Sequence, residues 1–122
     1  MGEERRKSVR VKSTLFLQYA LDVEGNKRWD ITTVKDISET GLCILTGKKF
    51  EPEEAITLRL KIPSRPFETI EVSGRVVGSS DAGTGVTYVT RIEFKDLNDE
   101  TKSLFHEYVD WVVKNSKSQG AR

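Results

Sequence analysis

The segment 56–62, with the sequence ITLRLKI, decides the fold class because its apolar and polar residues alternate strictly. A period of two is the pattern of a strand with one face in a core and the other in water. The segment 42–45 (LCIL) is apolar on both faces, which indicates a strand covered on both sides. The alternation recurs in three more segments and, more weakly, in a fourth: 15–21, 70–77, 86–94 and 29–34.

Turn-forming residues separate these six segments. The sequence EGN at 24–26 favours a hairpin, PSRP at 63–66 a rigid turn, and DAGTG at 81–85 a glycine-rich loop. Six short strands spaced by about ten residues favour an antiparallel barrel, because closure leaves no exposed edge. We therefore predict a mainly β protein built on a six-stranded antiparallel β-barrel.

From residue 98 the spacing of apolar residues changes to that of a helix. Asn98 can cap a helix N-terminus, and Asp99 and Glu100 complement the positive end of its dipole. We predict a C-terminal helix whose apolar arc packs on the barrel and is wide enough to contact a second copy of the chain, as a homodimer would require. His106 falls on the charged face, where we expect a solvated side chain. The apolar arc consists of Leu104, Phe105, Tyr108, Val109 and Val112.

Length and charge divide the chain into three predicted parts. The 122 residues suffice for one domain, with a flexible basic arm at 1–12, the barrel and helix at 13–115, and a disordered tail at 116–122. The arm has five basic and two acidic residues, whereas the rest has fifteen basic and seventeen acidic residues. A protein that binds a nucleic acid polymer over a broad face is expected to have a pI above ~9. This distribution instead favours a small anionic ligand held by the arm.

The sequence gives no support for an enzyme, a metal site or a cofactor. A single histidine and a single cysteine, Cys43, exclude a cysteine-rich zinc site and an intramolecular disulfide. Cys43 lies in an apolar run, where a buried thiol is usually an inert packing group. No phosphate-binding loop, dinucleotide fingerprint or nucleophile elbow occurs. We expect a cytoplasmic binding protein without membrane insertion, since there is no signal-peptide core and no apolar run of ~20 residues.

Two short clusters can bind an anion, and the first lies in the basic arm. Arg6 and Arg10 form an RxxxR motif, and Arg5 precedes it directly. A guanidinium group is planar and matches a phosphate or the O6/N7 edge of guanine, and it can stack on a purine. The alternative interpretation of this cluster is a solvated basic arm with no ligand.

The second cluster is the segment 36–41, with the sequence DISETG. Asp36 and Ser38 alternate along an extended chain, so both project from the same side. A carboxylate can accept hydrogen bonds from N1–H and N2–H₂ of guanine, and a hydroxyl adds a further donor or acceptor. Gly41 permits a positive φ or a close backbone approach. The alternative interpretation is an ordinary turn between two strands.

An RxxxR arm followed by a (D/N)xSxxG turn resembles the PilZ domain, the bacterial receptor module for cyclic di-GMP, and the resemblance covers almost the whole chain. It implies that arginines hold guanine edges and phosphates while the turn forms the opposite wall. An arginine just before RxxxR is associated in the family with an intercalated ligand pair, so Arg5 implies two cyclic di-GMP molecules per protomer. The implied ligand-binding residues are Arg5, Arg6, Arg10, Asp36, Ser38 and Gly41.

Two positions depart from the family pattern. Arg91 stands where many relatives have a glycine in the last strand, and Gly78 lies near the position where some relatives have a tryptophan that stacks on the ligand. Arg91 can either add a cation to the pocket or project into solvent; we expect the second and leave Arg91 outside the predicted site. Both departures bear on affinity and on stacking geometry.

The resemblance implies a cyclic di-GMP receptor whose arginine arm becomes ordered on binding and whose changed surface is read by a downstream protein. One alternative is a PilZ-fold interaction adaptor that binds no nucleotide, although some such relatives lack the arm and the turn found here. Another is a small barrel for single-stranded nucleic acid, which would need aromatic platforms in a basic groove. Tyr19, Tyr88 and Phe94 instead fall at core positions of the alternation.

Overall fold

The computed structural model describes residues 10–13, 15–23 and 26–120, which form eight strands and one helix. The strands are β1 (Val11–Lys12), β2 (Phe16–Val23), β3 (Asn26–Lys27), β4 (Asp30–Ile37), β5 (Gly41–Thr46), β6 (Ala55–Leu60), β7 (Ile70–Asp81) and β8 (Tyr88–Lys95). The helix is α1 (Asp99–Gly120).

The six longer strands close into an antiparallel barrel. They are hydrogen-bonded in the order β4-β5-β8-β7-β6-β2, and pairing of β2 with β4 completes the ring. The two-residue strands lie outside this ring, β3 paired with the end of β2 and β1 with the end of β4. The predicted six-stranded antiparallel barrel with a C-terminal helix is therefore confirmed.

Two strands are longer than the alternation predicted. β4 continues from residue 34 to Ile37 because its last residues have partners on both edges, Val11 in β1 and Leu42 in β5. β7 continues from residue 77 to Asp81, through a polar stretch that the alternation does not reveal. Pairing with β8 up to Tyr88, past a bulge near Gly78, holds this stretch in the sheet.

The barrel interior is filled by the alternating apolar residues of the long strands. Val34, Ile44, Leu58 and Val76 have no solvent-exposed surface. The burial of Leu58 and Val76 confirms that the alternation marks the inward face of β6 and β7, whereas in the weaker segment Ile31 is 69% exposed and Val34, of the opposite parity, points inward. Close packing of this kind stabilises a fold by ~25 cal/mol per Å² of apolar surface removed from water.

Helix α1 covers the barrel with the face predicted from its apolar spacing. Asn98 Oδ1 accepts a hydrogen bond of 2.8 Å from the Thr101 backbone N–H, which confirms the predicted cap. Phe105 is fully buried and stacks on Phe94, with ring centroids 4.8 Å apart and planes 9° from parallel. The helix runs to Gly120, past the predicted start of the tail at residue 116. No helix in the described part of the chain is long and apolar enough to cross a membrane.

Candidate functional site

The short strand β1 fixes the end of the basic arm against the barrel. Val11 pairs with Ile37 and Lys12 pairs with Asp36, so β1 continues the edge of β4 that β2 occupies further along. The Ser13 backbone N–H donates to the Lys35 carbonyl at 3.1 Å between the two segments. Residues 11 and 12 of the predicted arm are thus part of the sheet, and Arg10 lies next to them.

Arg10 brings the two sequence clusters together. Its Nη1 donates a hydrogen bond to Asp36 Oδ1, across 26 positions of sequence, and lies 3.8 Å from Cys43 Sγ. The Arg10 and Asp36 side chains are 35% and 27% exposed, so the ion pair remains open to solvent. Arg5 and Arg6, the other predicted arm residues of the site, lie outside the described residues.

Ser38 organises the turn between β4 and β5. Its backbone N–H donates to the Gly41 carbonyl at 2.8 Å, which closes the hairpin. The side chain is fully buried, and its Oγ accepts from the Thr40 backbone N–H at 3.2 Å. These contacts are those of a turn residue, and the assignment of Ser38 to a ligand site stays a prediction.

Gly41 is required by the close approach of β5 to β8. A Cβ at this position would lie 2.2 Å from the Ile92 carbonyl oxygen, which real structures do not allow. Gly41 is not among the glycines with positive φ, which in the described residues are Gly83 and Gly85. A positive φ is therefore not the reason for a glycine here. The backbone that approaches Gly41 closely is that of β8, and a close approach of Gly41 to a ligand stays a prediction.

Asp36 belongs to a row of side chains across the outer face of the barrel. The register pairs Asp36 with Cys43, Cys43 with Arg91, and Arg91 with Gly78. Directly paired residues point to the same side of a sheet, and Ile92, next to Arg91, points into the core. The row therefore lies outside, and neighbouring strands hold its members at fixed spacing.

Cys43 is covered by two arginines. It is only 3% exposed, with Arg10 Nη1 3.8 Å from its sulfur and Arg91 in direct register on the neighbouring strand β8. Burial raises the pKa of the Cys43 thiol, and the hydrogen bond from Arg91 partly opposes this effect. The thiol is neutral at physiological pH, and the predicted buried, covered cysteine is confirmed.

Positive charge dominates the row. The row contains three cations, Arg10, Lys12 and Arg91, and a single carboxylate, that of Asp36. Together these side chains have a net charge of about +2. We call Arg10, Lys12, Asp36, Cys43 and Arg91 the outer-face cluster. Within the described ranges, no group of three or more histidine, cysteine or acidic residues is placed to hold a metal ion. The cluster suits an anionic organic ligand.

A comparison with sequence models of protein families matches residues 4–111 to the PilZ domain. The match covers most of the chain. The chain belongs to the PilZ domain family. This confirms the family resemblance found in the sequence.

Solved structures share the fold. The PilZ domain of YcgR from Escherichia coli, with c-di-GMP, has a TM-score of 0.71 at 12% identity, covering 97% of this chain and 98% of that one. The K. pneumonia MrkH–c-di-GMP complex has a TM-score of 0.72 at 14% identity, covering 94% of this chain and 55% of that one. The inhibitor of motility MotI/DgrA of Bacillus subtilis has a TM-score of 0.74 at 16% identity, covering 93% of this chain.

These likenesses establish the fold and no more. This PilZ domain spans 52% of the MotI/DgrA chain and 55% of the MrkH chain, about half of each. A comparison with curated proteins finds no match.

An ion pair connects the β4–β5 turn of this PilZ domain to helix α1. His106 Nδ1 lies 2.5 Å from Glu39 Oε2, across 67 positions of sequence. Hydrogen bonding to Glu39 and its negative charge raise the pKa of His106, with a smaller contribution from Asp110. His106 is exposed, as predicted, but it is ion-paired with the residue at the centre of the turn. Helical spacing alone could not reveal a partner so distant in sequence.

Proposed function

We propose that this PilZ domain is a receptor for cyclic di-GMP, which binds on the outer face of the barrel between the arm and the β4–β5 turn. The observation that supports this most is the Arg10–Asp36 ion pair, since it joins the two motifs in space. The related structures of YcgR and MrkH contain c-di-GMP. We propose binding without catalysis, and no cofactor besides the ligand.

Charge complementarity supports a cyclic dinucleotide. The ligand has two phosphates with one negative charge each, and the outer-face cluster has a net charge of about +2. Arg10 offers a planar fork to a phosphate or a guanine edge, and Asp36 offers acceptors to N1–H and N2–H₂ of guanine. Opposite charges at the two residues therefore serve two different parts of one ligand.

The ion pair between Arg10 and Asp36 does not prevent binding. A solvent-exposed pair stabilises a protein by only ~0–1 kcal/mol. Hydrogen bonds to charged groups contribute ~1.5–3 kcal/mol each, so several of them outweigh the loss of the pair and support micromolar or tighter binding. The pair keeps both side chains near the positions in which the ligand would need them.

The arm completes the proposed site. Arg5 and Arg6 are proposed to bind the ligand beside Arg10, with Arg5 favouring a second cyclic di-GMP molecule. Like charges along the arm repel one another, and an anionic ligand removes this repulsion. Ordering of the arm would then present a new surface to a downstream protein, which is the proposed signal.

Isothermal titration with cyclic di-GMP tests this function. We expect the wild-type protein to bind and Arg10→Ala to weaken binding more than tenfold, since it removes charge-assisted hydrogen bonds. Arg65→Ala is the matched control, because Arg65 lies in an exposed turn and pairs with Glu68 there, at 3.5 Å. GTP and cyclic di-AMP serve as control ligands. Equal affinities of Arg10→Ala and wild type would refute the proposed site.

A specific surface favours a second candidate function, an interaction adaptor that binds no nucleotide. Phe16 and Ile31 are 68% and 69% exposed on neighbouring strands, and both line a shallow groove of about 360 Å³ that also includes Arg59. Exposed apolar groups beside a cation are common in protein interfaces. Failure of cyclic di-GMP to raise the melting temperature of the wild-type protein would support the adaptor and contradict the receptor.

A further inference from the structure

Arg91 lies at the β8 end of the outer-face cluster, beyond Cys43, and is fixed there by the barrel. In strand β8 it is flanked by Cys43 of β5 and Gly78 of β7, both in direct register. Arg10, by contrast, is attached to a strand of only two residues. Because strands pair on both sides of it, the backbone at Arg91 is one of the more rigid parts of the sheet. The Arg91 side chain therefore extends from a fixed point.

The bonding of Arg91 differs from that of other outward-facing arginines. Arg59, Arg65 and Arg75 each lie within 4.0 Å of a glutamate oxygen. Within the described ranges, no carboxylate forms an ion pair with Arg91. Its described partner is the Cys43 thiol, and sulfur is a weak acceptor for a guanidinium with five N–H donors. Most of its capacity to bind an anion therefore remains available.

The surface beside Arg91 is open. A Cβ built on Gly78 would meet no atom within 4 Å, and Gly78 is not in the positive-φ region. At Gly78 the strand next to Arg91 therefore presents backbone without a side chain, and the neighbouring bulge residue, Val77, is 41% exposed. An anionic or planar group can approach the guanidinium over Gly78.

Arg10 and Arg91 converge on one atom. Arg10 Nη1 lies 3.8 Å from Cys43 Sγ, and Arg91 is in direct register with Cys43 on the neighbouring strand, close enough for its guanidinium to lower the pKa of that thiol. Two guanidinium groups that reach one atom can both donate to one oxyanion placed above it. The sulfur carries no charge and competes only weakly for these donors.

We infer that Arg91 and Arg10 form a two-arginine clamp above Cys43 that binds one phosphate of the cyclic dinucleotide. This inference rests on the proposed function and adds to it a residue that lies outside the two motifs. Arg91 supplies a pre-positioned donor from the barrel, and Arg10 supplies a donor from the arm. The phosphate thereby links the arm to β8, in addition to the ion pair that joins Arg10 to Asp36 of β4.

Titration of Arg91 variants with cyclic di-GMP tests the clamp. We expect Arg91→Ala to weaken binding about tenfold or more, and Arg91→Lys to lose less because it keeps the charge but not the fork. Arg59→Ala is the control: it removes the same charge from another outer strand, where Arg59 pairs with Glu71 at 2.9 Å, and should bind like wild type. Melting temperatures of all variants show whether the fold is retained.

A second measurement separates ligand contact from a structural role. In the wild-type protein, the Arg91 side-chain Nε–H resonance should shift on addition of cyclic di-GMP, whereas that of Arg65 should not. The clamp is overturned if Arg10→Ala loses affinity while Arg91→Ala binds like Arg59→Ala, or if the Arg91 resonance does not move in the bound protein. A wild-type protein that does not bind cyclic di-GMP overturns both the clamp and the proposed function.

Discussion

Strands β5 and β8 can pair at Gly41 because the side chain there is a single hydrogen atom. The Cβ of Gly41→Ala would lie 2.2 Å from a backbone oxygen, which cannot rotate away as a side chain could. We expect the strands to be forced apart, with a loss of about 1–3 kcal/mol of unfolding free energy. Urea denaturation measures this loss.

Gly47→Ala provides the control for that experiment. A Cβ at Gly47 meets nothing within 4 Å, and Gly47 is not in the positive-φ region. Its unfolding free energy should stay within about 0.5 kcal/mol of wild type. Equal stability of the two alanine variants would show that the close approach of β5 to β8 is not what requires Gly41.

The elements of this PilZ domain differ in how far the sequence predicts them. Strands with one face in the core, such as β6, show a clear alternation, and Asn98 marks the helix start. β1 and the polar end of β7 carry no such pattern. They belong to the sheet because they pair with neighbouring strands. Pairing between strands distant in sequence is invisible to any periodicity.

The candidate site was predictable to a similar extent. The motifs identify Arg10 and Asp36, which the structure joins. They do not identify Arg91, since its position beside Cys43 follows from the register of β5 on β8. The family pattern singles out Arg91 as a departure, but its place beside Cys43 is known only once the barrel is assembled.

The link between the β4–β5 turn and helix α1 predicts a dependence on pH. Glu39 raises the pKa of His106 in the folded protein, so the ion pair stabilises the fold fully below the unfolded pKa of about 6.5. This stabilisation is lost as the pH rises through the folded pKa. A nuclear magnetic resonance titration of the His106 ring protons should give a midpoint above that of an unfolded peptide.

Removal of the carboxylate supplies the control for this titration. In Glu39→Gln the midpoint of His106 should fall, because both the hydrogen bond to the carboxylate and its charge are lost. Asp110→Asn should produce a smaller decrease, since Asp110 acts only through its charge. A midpoint unchanged in Glu39→Gln would show that the two elements are not coupled in solution.

Across the whole molecule, the arm and the barrel meet through few bonds. β1 has two residues, and a strand this short opens readily, so its amides should exchange with solvent faster than those of β6. A ligand bound by both Arg10 and Arg91 would hold β1 against the barrel. The Val11 and Ser13 amides lie at the hydrogen-bonded positions of the pairing with β4. Their exchange should then slow about tenfold or more on addition of cyclic di-GMP, as expected for ~1.4 kcal/mol of added stability.

The same exchange measurement on Arg91→Ala shows whether Arg91 contributes to the protection of the β1 amides. At saturating cyclic di-GMP this variant should still bind through Arg10, but protection of β1 should be smaller than in wild type, because the phosphate no longer connects the arm to β8. Exchange in β6 serves as the internal reference, since that strand pairs along its whole length with β7. Full protection of β1 in the variant would mean that the arm is fixed by the turn alone, and no protection in ligand-bound wild type would contradict ordering of the arm as the signal.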